Sequence, residues 1–182
     1  MAIKTFTAGE VLTAANTNTY LTNSGLVYVT SAAIGSAVSS VTVSSAFSAT
    51  YDAYKIVIAG GVSSADVSLG LKLGASATGY YASRTGAIYS TAASFLGSDN
   101  NTAQWTAVGT GLSANGLFGA IDLQNPFLAK YTYMQASYAA ASVAGSSIGL
   151  HQVATSYSAF TITPTSGTLT GGTITVYGYR LG

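Results

Sequence analysis

Alternation with a period of two governs most of this chain. Val67, Leu69, Leu71 and Leu73 point one way, and Ser68, Gly70 and Lys72 point the other. That is the pattern of an antiparallel strand with one buried and one wet face. Tyr54, Ile56 and Ile58 share one face of a segment over 51–59, opposite Lys55 and Val57. The segment 60–66, which opens on Gly60-Gly61, reads as a hairpin joining these two strands. Residues 117–123 alternate through Leu117, Gly119, Ile121 and Leu123 until Asn125-Pro126 stops them. Further strands are expected over 26–30, 38–43, 131–139, 147–154, 159–163 and 173–180. Residues 79–83 and 87–91 read as another pair turning about Thr85-Gly86. Weak periodicity over 92–114 predicts a long loop with a short strand around Trp105. Gly109-Thr110-Gly111 and Gly171-Gly172 read as turns, because no Lys-Ser or Lys-Thr follows to make a phosphate loop. About nine or ten short strands at regular spacing define an all-β, antiparallel β-sandwich of jelly-roll-like kind.

Composition narrows the function classes. Six basic and five acidic residues leave a net charge of +1, which gives no electrostatic basis for binding nucleic acid or an anionic membrane. Without cysteine, neither a disulfide nor a thiolate is available. Ser, Thr, Ala and Gly fill more than half of the positions, but thirteen Tyr and regular β-branched runs argue against disorder. A surface this poor in charge suits a part packed among neighbours, where repeated copies must not repel one another. Residues following Lys4 do not form the apolar core of a signal peptide, and no stretch is long and apolar enough for a membrane helix. Synthesis and assembly in a cytoplasm is the expectation.

Reactive constellations are scarce. His151 is the only histidine, no Gly-x-Ser-x-Gly elbow is present, and the five acids lie far apart in sequence. The expectation is a protein that is not an enzyme and that needs no cofactor or metal. The aromatic residues are more suggestive. Tyr80, Tyr81 and Trp105, with Asn100 and Asn101, fall in or beside predicted loops. Exposed rings stack on sugars or anchor interfaces, so these five are the candidate contacts for a glycan or protein partner.

The front of the chain differs from the rest. Thr7 with Glu10 fits a capping box, and Thr13 stands before Ala14, Ala15 and Asn16 as a second helix cap. These signals predict a short helical arm over 1–24, followed by a β-sandwich domain over 25–182. A short helix cannot bury its own apolar side chains, so it must dock on its own sandwich or on another protein. Phe6, Val11, Leu12, Tyr20 and Leu21 are the candidate docking residues.

Phe6, Gly9, Leu12, Thr13, Ala14, Ala15, Asn16, Asn18, Tyr20 and Leu21 together resemble the opening of tailed-phage virion proteins. The minor tail and fibre-like proteins are the most similar. Asn16 and Thr17 depart from that pattern, in which an acidic and an aliphatic residue are common. Segments 51–73 and 172–180 resemble strands of β-sandwich proteins from phage tails and capsids. The resemblance implies a virion structural protein: a tail fibre or a tail-tip or baseplate component, attached through its N-terminal arm and contributing to host adhesion. Alternatives are a capsid decoration (cement) or head-fibre protein, and a lectin-like module for host surface glycan. Other virion proteins are then its partners, with a homo-oligomer, a trimer by resemblance, as the assembled form.

Overall fold

The computed structural model describes residues 7–16, 25–140 and 142–180. Among them the chain is almost wholly antiparallel β. Fourteen strands run in chain order: β1 (Leu26–Ala33), β2 (Val41–Val43), β3 (Ala53–Gly60), β4 (Val62–Ser63), β5 (Val67–Leu73), β6 (Tyr80–Ile88), β7 (Ala93–Thr102), β8 (Trp105–Leu112), β9 (Gly116–Gln124), β10 (Thr132–Ala139), β11 (Val143–His151), β12 (Phe160–Pro164), β13 (Leu169–Thr170) and β14 (Thr173–Tyr179).

Twelve of these strands form one hydrogen-bonded sheet that branches at β9. Along one side β9 pairs with β3 from Leu117 to Gln124. Along the other it pairs first with β8, at residues 116–118, and then with β10, at residues 120–124. The long arm therefore runs β1-β14-β3-β9-β10-β11-β6-β7, and the short arm runs β8-β5-β12-β2. The short arm lies against the inner side of the long one. Trp105 of β8 meets Tyr80 of β6 edge to face at 5.1 Å. Phe47, just after β2, packs on Phe160 of β12 at 5.6 Å and on Tyr54 of β3 at 4.9 Å. The core lies between the arms: Tyr54, Ile56, Ile58, Ile121, Leu123, Ile174 and Val176 from one, and Leu69, Leu71, Leu73, Trp105, Val108, Phe160 and Ile162 from the other. Alternation put each of these on one face, and covering both inner faces removes them from water together. The arrangement is sandwich-like.

Several expectations need correction. β3 and β5, the two clearest strands, do not pair: β3 lies between β14 and β9, and β5 between β12 and β8. The 60–66 segment instead carries the chain between arms. Gly60 and Gly61 both have positive φ, and β4 pairs with β13 rather than closing a hairpin. A Cβ on Gly61 would stand 2.1 Å from the Gly171 carbonyl oxygen, so the close crossing excludes any side chain there. Thr85-Gly86 is not a turn; β6 runs through it in register with β11. The expected loop over 92–114 is two strands, β7 and β8, and Gly109-Thr110-Gly111 lies inside β8. A Cβ on Gly109 would meet the Phe118 carbonyl oxygen at 2.5 Å, so these glycines serve close backbone approach at the branch point rather than a turn.

The helical arm is not supported. The Thr13 cap forms, with the Asn16 amide donating to Thr13 Oγ1 at 3.1 Å. Of the Thr7–Glu10 box the carboxylate half forms, with the Thr7 amide donating to Glu10 Oε2 at 3.3 Å, while the Glu10 amide donates to the Thr7 carbonyl at 3.1 Å. Yet the described helix is the single turn α1 (Ala14–Asn16), with no buried residue. A capped turn without a packed face lacks the tertiary contacts that sustain most helices.

Candidate interaction face

The side of the long arm that turns away from the core can be read residue by residue from the strand registers. One row crosses all eight strands: Tyr28, Tyr177, Lys55, Asp122, Gln135, Ile148, Ser83 and Ser98. A parallel row holds Gln124, Tyr133, Leu150 and Tyr81. Their immediate neighbours in sequence, such as Tyr54, Ile121, Met134 and Gly149, point into the core. This face gathers large apolar side chains that remain in water. Leu96 is 84% exposed and Tyr28 is 60% exposed, and Leu26, Phe118 and Ile148 are exposed with them. All five lie on strands, and all five point to this one side. Scattered single apolar residues need no explanation, but five on one face of one sheet, with half-buried Tyr177, Tyr133, Leu150 and Tyr81 on the same side, make that face a candidate interaction surface.

The face carries one ion pair. Lys55 Nζ donates to Asp122 Oδ2 at 3.1 Å and to Oδ1 at 3.3 Å. The Tyr179 hydroxyl donates a short bond to Asp122 Oδ1, and burial together with that carboxylate pushes its pKa up to about 12. Two donor groups, through three hydrogen bonds, thus converge on Asp122. No other outward-facing residue of these eight strands is charged, so the surface is close to neutral.

The aromatic residues singled out from sequence divide sharply. Tyr80 and Trp105 are fully buried, which removes both as ring platforms for a sugar. They were misplaced because the segment around them is strand rather than loop. Tyr80 donates to the Leu73 and Ser76 carbonyls and accepts from the Leu73 amide, and burial raises its pKa to about 12. Trp105 Nε1 donates to the Tyr81 carbonyl at 3.2 Å. Tyr81 itself is half-buried on the outer face, beside Leu150. Asn100 and Asn101 are exposed, and Asn101 takes a positive φ while its Oδ1 accepts from the Gly79 amide at 2.8 Å. The five do not form one site. Of the docking residues, Val11 and Leu12 are exposed; Phe6, Tyr20 and Leu21 lie outside the described residues.

His151 sits in the buried cluster, its ring 4.3 Å from Tyr80 and 5.4 Å from Tyr157. Nε2 lies 2.9 Å from Ser76 Oγ and 3.1 Å from the Thr78 carbonyl oxygen. A carbonyl only accepts, so Nε2 carries the proton, and Ser76 donates to the same carbonyl. Nδ1 reaches no partner in hydrogen-bond geometry, although the Val153 backbone is close enough to favour the charged ring. Burial outweighs that influence and holds the His151 pKa below its ordinary value. To activate Ser76 the imidazole would need the other tautomer, with an acceptor at Nδ1, and none is in place.

Asp99 is the other buried polar anchor. It accepts from the Thr106 amide at 2.9 Å and the Thr106 hydroxyl at 2.7 Å, with Arg84 3.5 Å away. Its carboxylate pins β7 to β8 where the two strands do not pair directly. Among the described residues no group of three or more His, Cys, Asp or Glu could hold a metal ion, and no helix is long and apolar enough to cross a membrane.

No family model, no curated protein and no solved structure matches this chain. The class is therefore defined by its own geometry: a sandwich-like antiparallel β protein with one broad, nearly neutral face bearing exposed apolar side chains.

Proposed function

We propose that this chain is a structural component of a tailed-phage particle. In this reading it is a tail-fibre or tail-tip element that attaches through residues 1–24 and contributes to adhesion. The resemblance of its opening segment supports this, and the observation that carries it is the state of Val11 and Leu12. Both are exposed, which is the condition of a segment that docks elsewhere. We read the two arms as the layers of a sandwich, of the jelly-roll-like kind that the sequence suggests. The sparse charge and the apolar outer face fit a part that is packed among neighbours.

Deletion of residues 1–24 tests the reading. The truncated chain should keep its circular dichroism and thermal transition yet be missing from purified particles. A truncated protein that still enters particles would refute attachment through this segment. Imaging of labelled particles then separates a tail part, present in few copies at one end, from a decoration protein spread over the shell.

A further inference from the structure

We propose that the outer face of the long arm is the packing surface for a second copy of this chain, face to face about a two-fold axis. The inference rests on the reading of the chain as an assembly part and names what covers its exposed sheet.

Three observations carry it. The first is area. Eight strands spaced by about 4.8 Å, each about eight residues long at about 3.3 Å per residue, present roughly 900 Å². A stable interface buries about 800 Å² per partner, so this face alone is large enough. The second is chemistry. Tyr28, Leu96, Phe118 and Ile148 stand exposed along that face, spread from one edge strand to the other. Sheet faces pack on each other by interdigitating such side chains at about 10 Å. Two sheets with the same right-handed twist do so at about −30°. The third is charge. Lys55 and Asp122 sit side by side on the third and fourth of the eight strands, near the middle of the face. A surface with one cation and one adjacent anion at its centre is self-complementary under a two-fold rotation, since each sign can meet its opposite. A strongly charged partner would find no matching field here. Asp122 already accepts from Lys55 and Tyr179, so covering the face leaves its carboxylate paired.

The test is sedimentation equilibrium and light scattering on the full chain and on three variants. Ile148→Lys and Leu96→Asp each place an unpaired charge on the face; Thr42→Lys places one on β2, at the far edge of the short arm. All three positions are exposed in the single chain, so thermal melts should match the unmodified protein. The unmodified chain should be a dimer. Ile148→Lys and Leu96→Asp should raise its dissociation constant about tenfold or more, and Thr42→Lys should leave it unchanged. A chain that stays monomeric at the highest concentration reached refutes the proposal. So does a dimer that tolerates both face variants, or a trimer in place of a dimer. A monomer that still enters particles would sink this inference alone, whereas entry without residues 1–24 would sink the attachment reading alone.

Discussion

Replacing Trp105 with alanine separates two readings of the same residue. If its ring were a sugar platform, Trp105→Ala would abolish binding and leave the fold intact. The structure gives the opposite expectation. The side chain is 0% exposed, packs edge to face on Tyr80 and His151, and donates through Nε1 to the Tyr81 carbonyl. It also fills the space over Gly149, where a Cβ would stand 2.5 Å from Nε1. Truncation of a buried Trp to Ala costs about 3–5 kcal/mol through lost transfer energy and the cavity left behind. Loss of the donor to Tyr81 adds about 1 kcal/mol. A total near 4–6 kcal/mol is a large share of the 5–15 kcal/mol that typically separates folded from unfolded chains. For a domain of this size it corresponds to a fall in Tm of about 8–24 °C. Urea denaturation followed by Trp-independent circular dichroism measures it directly. An unchanged midpoint in Trp105→Ala would refute the placement of this side chain in the core. Trp105→Phe, which keeps the ring contact with Tyr80, should recover more than half of the loss.

Other expectations can be checked with the same melts. Gly109→Ala forces a methyl group towards the Phe118 carbonyl oxygen and should cost about 1–3 kcal/mol; wild-type stability would contradict the close approach of β8 and β9. Asp99→Ala strands the Thr106 amide and leaves Arg84 without its carboxylate, an expected loss of about 3 kcal/mol, and an unaltered denaturation curve would disprove the anchoring role. His151 sets a pH dependence. Its folded pKa lies below 6.5, chiefly because the ring is buried, so between those values the unfolded chain binds the proton and the folded one does not. Stability is complete above about pH 6.5 and falls as the pH drops towards the folded value. His151→Gln should flatten that slope, and an equal slope in both proteins would rule the histidine out as its source.

The inward sets of β3, β5 and β9 were legible as soon as alternation was recognised. Tyr54, Ile56 and Ile58 are buried as expected, and so are Leu69, Leu71 and Leu73. β7 was not legible. Its sequence is Ser, Gly, Asp and Asn rich because it is a lateral strand that needs only one buried anchor, Asp99, and a strand of this composition looks like a loop. The interaction face was equally hidden. Tyr28, Phe118 and Ile148 are far apart in the chain, and nothing in their local pattern distinguishes an outward apolar residue from an inward one in a neighbouring register.

Period-two patterning thus dictated the class of the fold and which side chains seek cover, because a strand's two faces are set by backbone geometry alone. Only the folded sheet decided which strand lies beside which, that Gly109 marks a crossing and not a bend, and that exposed apolar residues of β1, β7, β9 and β11 share one side. Those outcomes depend on pairings between segments remote in sequence, and several pairings bury the same inward residues equally well, so close backbone contacts at glycines and buried anchors such as Asp99 must choose among them.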